Sequence, residues 1–165
     1  MIRMIAFILG FAFAGPAIAA DWMEYAYPDY SFTVHFPETP KIESATYRAP
    51  EDRTLEARVY SVIQEAGSFT LTIADVPDGS SNEETLVTHA VKSLTDGSVI
   101  KLDIQHRIRT TYGRQLAVAG ADGGYSYISV FYYKKRLYQI EGKAVAAGGQ
   151  AEVDAMIFQQ SLDLT

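Results

Sequence analysis

At 165 residues, with 14 basic and 20 acidic side chains and a formal net charge of −6, the chain is too acidic to bind nucleic acid or anionic lipid through bulk charge. It has no cysteine, which excludes disulfide staples, thiol catalysis and lipid attachment at a cysteine. Three histidines without a thiol partner leave little from which to build a zinc site.

In chain order, the first segment reads as an export signal. Arg3 supplies a positive start, residues 5–13 are an apolar run, Gly15 and Pro16 break it, and Ala17-Ile18-Ala19 has the A-x-A form of a cleavage site. A membrane-spanning helix needs about 20 apolar residues, and this run is roughly half that. The expected organisation is a cleaved signal peptide over residues 1–19 and one domain over residues 20–165, placed in a Gram-negative periplasm. Removing Arg3 leaves 13 basic residues against 20 acidic ones, a net charge of −7. A domain of about 146 residues buries roughly two-thirds of its unfolded surface and needs no staples.

The new N-terminus, around Trp22 and Tyr25, is aromatic and acidic and suits a short strand or an arm laid over the core. Phe32, Val34 and Phe36 then alternate with Ser31, Thr33 and His35, the period-two pattern of a half-buried strand, which Pro37 and Pro40 end. A strand around Tyr47 follows. Two β-rich runs, 54–63 and 69–76, flank Ala66-Gly67-Ser68 and read as a hairpin. After a loop at 77–80, Ser81 and Glu84 have the spacing of a capping box. Leu86, Val87, Ala90, Val91 and Leu94 then form one stripe at helical spacing, and Gly97 stands where a left-handed cap falls.

The period then returns to two. Ile100, Leu102, Ile104, His106 and Ile108 fall on one strand face, and Lys101, Asp103, Gln105, Arg107 and Arg109 on the other. A turn is expected at Thr111-Tyr112-Gly113 and another at Asp122-Gly123-Gly124. Strands over 125–133 and 136–145 meet at Lys134-Lys135. Gly148-Gly149 precedes a closing helix with Val153, Met156 and Ile157 on one side. Strands, a helix, four antiparallel strands and a helix make an α+β fold, with an antiparallel sheet of six to seven strands flanked by helices.

Several stretches carry a family resemblance: Phe32-Thr33-Val34-His35-Phe36-Pro37, the hairpin strand at 58–63, the mid-chain helix, the strand meander, and the final segment at 157–164. Over residues 30–164 the chain resembles the Mog/PsbP-like group of small α-β-α sandwich domains. That group includes the extrinsic photosystem II subunit and many secreted bacterial proteins. The resemblance implies an accessory or binding role without catalysis, and its motifs are packing patterns that assign no functional residue.

The residues themselves point the same way. No histidine has the second histidine of an H-E-x-x-H motif, so each reads as solvated or structural and no metal is expected. Ser126 lacks the second glycine of a nucleophile elbow. Gly148-Gly149 has no phosphate-binding pattern, and no cofactor is implied. Glu83 and Glu84 complement a helix dipole. A hydrolase would need two of His35, His106, Asp103, Ser126 and Glu141 to converge. A small-ligand carrier would need an apolar pocket between helix and sheet.

Two clusters are less ordinary. Lys101, Arg107, Arg109 and Arg114 gather basic charge around one hairpin of an acidic protein, where guanidinium groups suit a carboxylate or phosphate, or else form a solvated face. Tyr125, Tyr127, Phe131 and Tyr133 share one strand face, with Tyr138 on the next strand; they suit either a packed sheet or an interface. The expected function is a periplasmic binding or accessory protein that recognises a protein or envelope component through these residues.

Overall fold

The computed structural model describes residues 22–78 and 81–165. The expected signal peptide and its cleavage site lie outside the described residues. β1 (Met23–Tyr27), β2 (Phe32–Phe36) and the short β10 (Asp163–Leu164) form a small antiparallel sheet in the order β1-β2-β10. The large sheet is built from β3 (Lys41–Arg48), β4 (Thr54–Gln64), β5 (Gly67–Asp75), β6 (Val99–Ile108), β7 (Thr111–Ala119), β8 (Tyr125–Tyr133) and β9 (Arg136–Ala144). Its order is β3-β4-β5-β9-β8-β7-β6, antiparallel at every step. The helices are α1 (Glu83–Thr95) and α2 (Gln150–Gln160). The α+β class and the seven-stranded sheet match the sequence expectation.

The topology follows from α1 acting as a crossover. It carries the chain from β5 to the far side of the sheet, and the β6-to-β9 meander returns to pair β9 with β5. β3 and β6 are therefore the two edges. α1 lies over β7, β8 and β9. It seats Leu86, Val87, Ala90 and Val91 on Leu116, Val118, Ile128, Val130 and Leu137. On the opposite side, α2 and the small sheet bury Phe32, Val34, Phe36 and Phe158 against Tyr60, Phe69, Leu71, Phe131, Tyr138 and Ile140. Each such side chain, taken fully out of water, stabilises by roughly 1.5–3 kcal/mol.

Several local details differ from the sequence reading. The cap of α1 is Asn82, whose Oδ1 accepts from the Thr85 N–H at 2.9 Å, a contact worth about 1 kcal/mol. Ser81, one residue earlier, accepts instead from Arg53 at 3.3 Å. The β6–β7 turn is at Arg109 and Thr110, so Tyr112 and Gly113 lie inside β7. Gly113 belongs there because a Cβ would come 2.2 Å from the Val130 carbonyl oxygen and 2.4 Å from the Phe131 ring.

The two largest corrections concern faces. α2 buries Ala155, Phe158 and Gln159, while Val153 and Ile157 are exposed and Met156 is half-buried. The small Ala155 lets the helix approach Gly142 closely, and the buried Gln159 amide is satisfied by Ser129 and Gln115. In β6 the pairing slips between Ile100 and Leu102, a bulge with Lys101 as the extra residue. The bulge changes the phase, so Ile100 does not share a face with Leu102, Ile104, His106 and Ile108. In its first half neither face of β6 is covered: Val99, Ile100, Leu102 and Ile104 are 40–59% exposed, whereas His106 and Ile108 further along are half-buried against Phe131 and the core.

Candidate functional site

The β6–β7 hairpin projects beyond both helices, because α1 reaches only to β7 and α2 lies over β5, β8 and β9. Between the N-terminal half of α1 and this hairpin lies an open cleft of about 640 Å³. Glu83, Glu84 and Thr88 form the helix wall, and Gln105, Tyr112 and Arg114 the hairpin wall. Register places Gln105 opposite Arg114 and Arg107 opposite Tyr112, so all four project to the α1 side. Arg114 Nε donates to Asp103 at 2.9 Å, and a second nitrogen reaches the same carboxylate oxygen at 2.5 Å. The Arg107 guanidinium sits 5.7 Å from the centre of the Tyr112 ring, a cation–π contact. Tyr112 is 60% exposed and presents an aromatic surface at the mouth of the cleft.

The sequence-level basic cluster is thus divided by the fold. Arg107 and Arg114 stand on the cleft side. Lys101 is the exposed extra residue of the bulge. Arg109 occupies the turn with φ 53° and pairs with Asp163 of β10 at 2.5 Å. That carboxylate's hydrogen bonds, more than its charge alone, raise the Arg109 pKa further above its ordinary value.

The tyrosines serve the opposite side of the sheet. Tyr138 is fully buried, and its hydroxyl donates to the Tyr30 carbonyl at 2.7 Å. Tyr133 is half-buried against the core, with its hydroxyl 3.3 Å from the Thr165 carbonyl. Tyr125 is half-buried at the start of β8. Tyr127 donates to Glu152 of α2 at 2.5 Å. Tyr138 is therefore core, and Tyr127 ties α2 to the sheet.

Burial, and then the carboxylate that accepts its proton, push the Tyr127 phenol up to about 12. The same hydroxyl, with the Gly148 N–H, holds Glu152 below its ordinary value. A depressed carboxyl adds stability that is present above its unfolded value of 4.5 and is lost as pH falls through the folded one. A raised phenol adds stability that is present below 10.0 and is lost as pH rises toward 12. Tyr127→Phe is expected to shallow both limbs of a plot of urea midpoint against pH. The alkaline limb persists in part, because Tyr60, also pushed up to about 12 by burial, is unchanged. Limbs identical to those of the unaltered protein would show that this contact does not form.

The candidates of the catalytic alternative fall in different parts of the fold, with Ser126 and Glu141 diagonal neighbours on adjacent strands and Asp103 bonded to Arg114 on β7. His35 pairs with Glu24 across the small sheet at 3.5 Å, and His106 packs on Phe131 with ring centres 5.7 Å apart. Ser126 and Glu141 share the α1 side of the large sheet, away from both. The ring of His89 on α1 meets Tyr47 edge-on at 6.4 Å. Among the described residues, no group of three His, Asp or Glu side chains is placed to hold a metal ion. Among them, too, no helix is long and apolar enough to cross a membrane. The cleft is open and its walls mix charged Glu83, Glu84 and Arg114 with apolar Val87 and Tyr112, unlike the enclosed, mainly apolar pocket a carrier of small hydrophobic ligands needs.

Sequence reasoning missed Tyr112 and Gln105 as site residues, along with the helix wall. It placed Ile100 with Leu102, Ile104, His106 and Ile108 on one face of β6, which the bulge at Lys101 separates. The available signal was arithmetic: two helices cannot cover both faces of seven strands, so one edge had to remain bare.

No family model matches the chain, and no curated protein matches it in sequence. Among solved structures it is similar to the solution structure of cyanobacterial PsbP (CyanoP) from Synechocystis sp. PCC 6803, with 12% identity and a TM-score of 0.59. The match covers 95% of this chain and 99% of that one. The similarity bears on the PsbP side of the resemblance read from the sequence, and at this identity it establishes a PsbP-like fold and nothing finer.

Proposed function

We propose that this protein is an exported, non-catalytic accessory module that binds a protein partner through the cleft side of the β6–β7 hairpin. One observation carries the reading: the end of the hairpin beyond α1 presents Tyr112, Arg107 and Arg114 beside an open groove whose other wall is α1. Exposed aromatic and arginine side chains together are the residues that dominate protein recognition. The signal-like leader supports the periplasmic location, and the net charge of the chain argues against a nucleic-acid partner. The basic part of the expected surface is retained as Arg107, Arg114 and Lys101. Tyr112 replaces the tyrosines of β8 and β9 as its aromatic part.

Site-directed photo-crosslinking in intact cells tests this. A photoreactive residue at Thr88, across the cleft from Tyr112, is expected to yield a discrete adduct whose mass differs from twice the chain. Tyr112→Ala is expected to reduce that adduct roughly tenfold. Its stability should stay within about 0.5 kcal/mol of the unaltered protein, as for an exposed side chain. The same probe at Ile42, on the opposite sheet edge, is the control. Equal adducts from both positions, or an adduct indifferent to Tyr112→Ala, would place binding elsewhere.

A further inference from the structure

We infer that β6 is the interface of a symmetric homodimer, in which its free edge pairs antiparallel with β6 of a second copy about a two-fold axis at Gln105. The inference goes beyond the partner reading and does not depend on it.

A long edge strand with an apolar face is a template for another strand, and proteins usually blunt such edges. β3, at the other end of the sheet, is blunted: Lys41, Glu43 and Arg48 are exposed along it, and Ile42 is its exposed large apolar residue. β6 also carries exposed charges, Lys101, Asp103 and Arg107, and a bulge near its start, but unlike β3 it exposes four large apolar residues, Val99, Ile100, Leu102 and Ile104. Its bulge ends the regular ladder at Leu102, and the turn begins after Ile108. That leaves residues 102–108 as an uninterrupted backbone edge, with residues 102–105 exposed and His106 and Ile108 half-buried against Phe131 and the core.

This segment is complementary to itself. With the axis at Gln105, Leu102 meets Ile108 of the second copy and Ile104 meets His106. Asp103, whose Oδ1 accepts from Arg114 of its own hairpin, meets Arg107 of the second copy with its other oxygen, and Gln105 meets its own counterpart. Each pairing occurs twice, so two opposite-charge pairs form on the α1 side and an apolar seam runs along the other side. Directly opposed pairs of this kind stabilise antiparallel strands, and like charges in the same places destabilise them. Shifting the axis to Ile104 would set Asp103 against Gln105 and leave Arg107 opposite the bulge at Lys101, losing both ion pairs. In the favoured register Lys101 would meet Arg109, but Lys101 is the bulged residue and Arg109 is turned away to Asp163. Side-chain parity is preserved, so the two α1 helices lie on one side of a continuous sheet, seven strands from each copy. A foreign strand would satisfy the backbone edge equally well; the reciprocal charge pattern is what selects a second copy.

The test uses protein purified from cells expressing the full 165-residue sequence. Sedimentation equilibrium is expected to show a concentration-dependent dimer. R107D creates two Asp–Asp oppositions and D103R two Arg–Arg oppositions, and each is expected to weaken dimerisation roughly tenfold or more. Mixing the two variants restores every pair as an opposite-charge one, so the mixture is expected to form a heterodimer. Thermal melts of each variant confirm that it folds.

Because the chain has no cysteine, Q105C introduces a single thiol at the axis. Paired residues there lie within disulfide range, so mild oxidation is expected to link the copies. K101C, roughly 26 Å from its counterpart in this register, is expected not to link. A monomer at every accessible concentration overturns the proposal. So does a dimer indifferent to R107D, or equal crosslinking of Q105C and K101C. A monomer that instead takes up a strand from another protein also overturns it.

Discussion

Phe158→Ala is expected to be the most damaging single truncation considered, lowering stability by about 4 kcal/mol in urea or thermal unfolding. Phe158 is fully buried on α2. Its ring lies 4.9 Å from that of Phe36 in the small sheet, 5.4 Å from Phe69 in the large sheet and 6.5 Å from Trp22. The side chain therefore packs at the junction of α2, the small sheet and the large sheet. Neighbours pinned in two separate sheets cannot move in to fill the space. The loss then includes most of the cavity term as well as the transfer term. Ile157→Ala, one residue earlier on the exposed face, is expected to cost under about 1 kcal/mol. Equal losses at the two positions would mean that α2 presents the opposite face to the sheet.

Gly142→Ala is expected to cost about 3 kcal/mol and to lower the melting temperature by roughly 10 °C. The added methyl would be centred 2.1 Å from the Ala155 carbonyl oxygen, a backbone atom of α2. No side chain can turn aside to admit it, so the helix must lift from β9. Lifting α2 pulls on the Tyr127–Glu152 contact and on the Gln159 hydrogen bonds to Ser129 and Gln115. Hydrogen exchange is expected to accelerate in α2 and in β10 while α1, on the other side of the sheet, keeps its protection. A variant that melts normally would mean that α2 packs less closely than the geometry requires.

Both effects depend on α2, the element whose inward face the sequence disguised. Residues 150–160 contain two stripes at helical spacing. One carries Val153, Met156 and Ile157; the other carries Ala155, Phe158 and Gln159. Hydropathy favours the first, since an alanine and a glutamine are poor core residues by composition. Steric fit to Gly142 and a paired amide make the second the better match to this particular sheet. The same kind of gap separates reading and result at β6. Alternation predicted a strand there, and a strand is there, but alternation is identical whether or not a helix lies on top. For the site, alternation placed Arg107 with Arg109 on one strand face and Arg114 at the start of the returning strand, whereas the structure turns Arg109 away to Asp163 and leaves Arg107 on the side of Arg114. Tyr112 was hidden because a Tyr-Gly dipeptide resembles a turn, whereas Gly113 serves a close approach to Phe131 within the sheet.

Local pattern alone accounts for the hairpins, the strand that Pro37 ends, the span of α1 and the α+β class. A period of two or 3.6, a cap and a turn dipeptide are set by residues within a few positions of one another. Which face of α2 turns inward, which edge of the sheet lies bare, and whether the arginines gather or part were decided by tertiary packing. Those outcomes depend on the surface each element finds opposite it, and two helices shared among seven strands leave β6 with none.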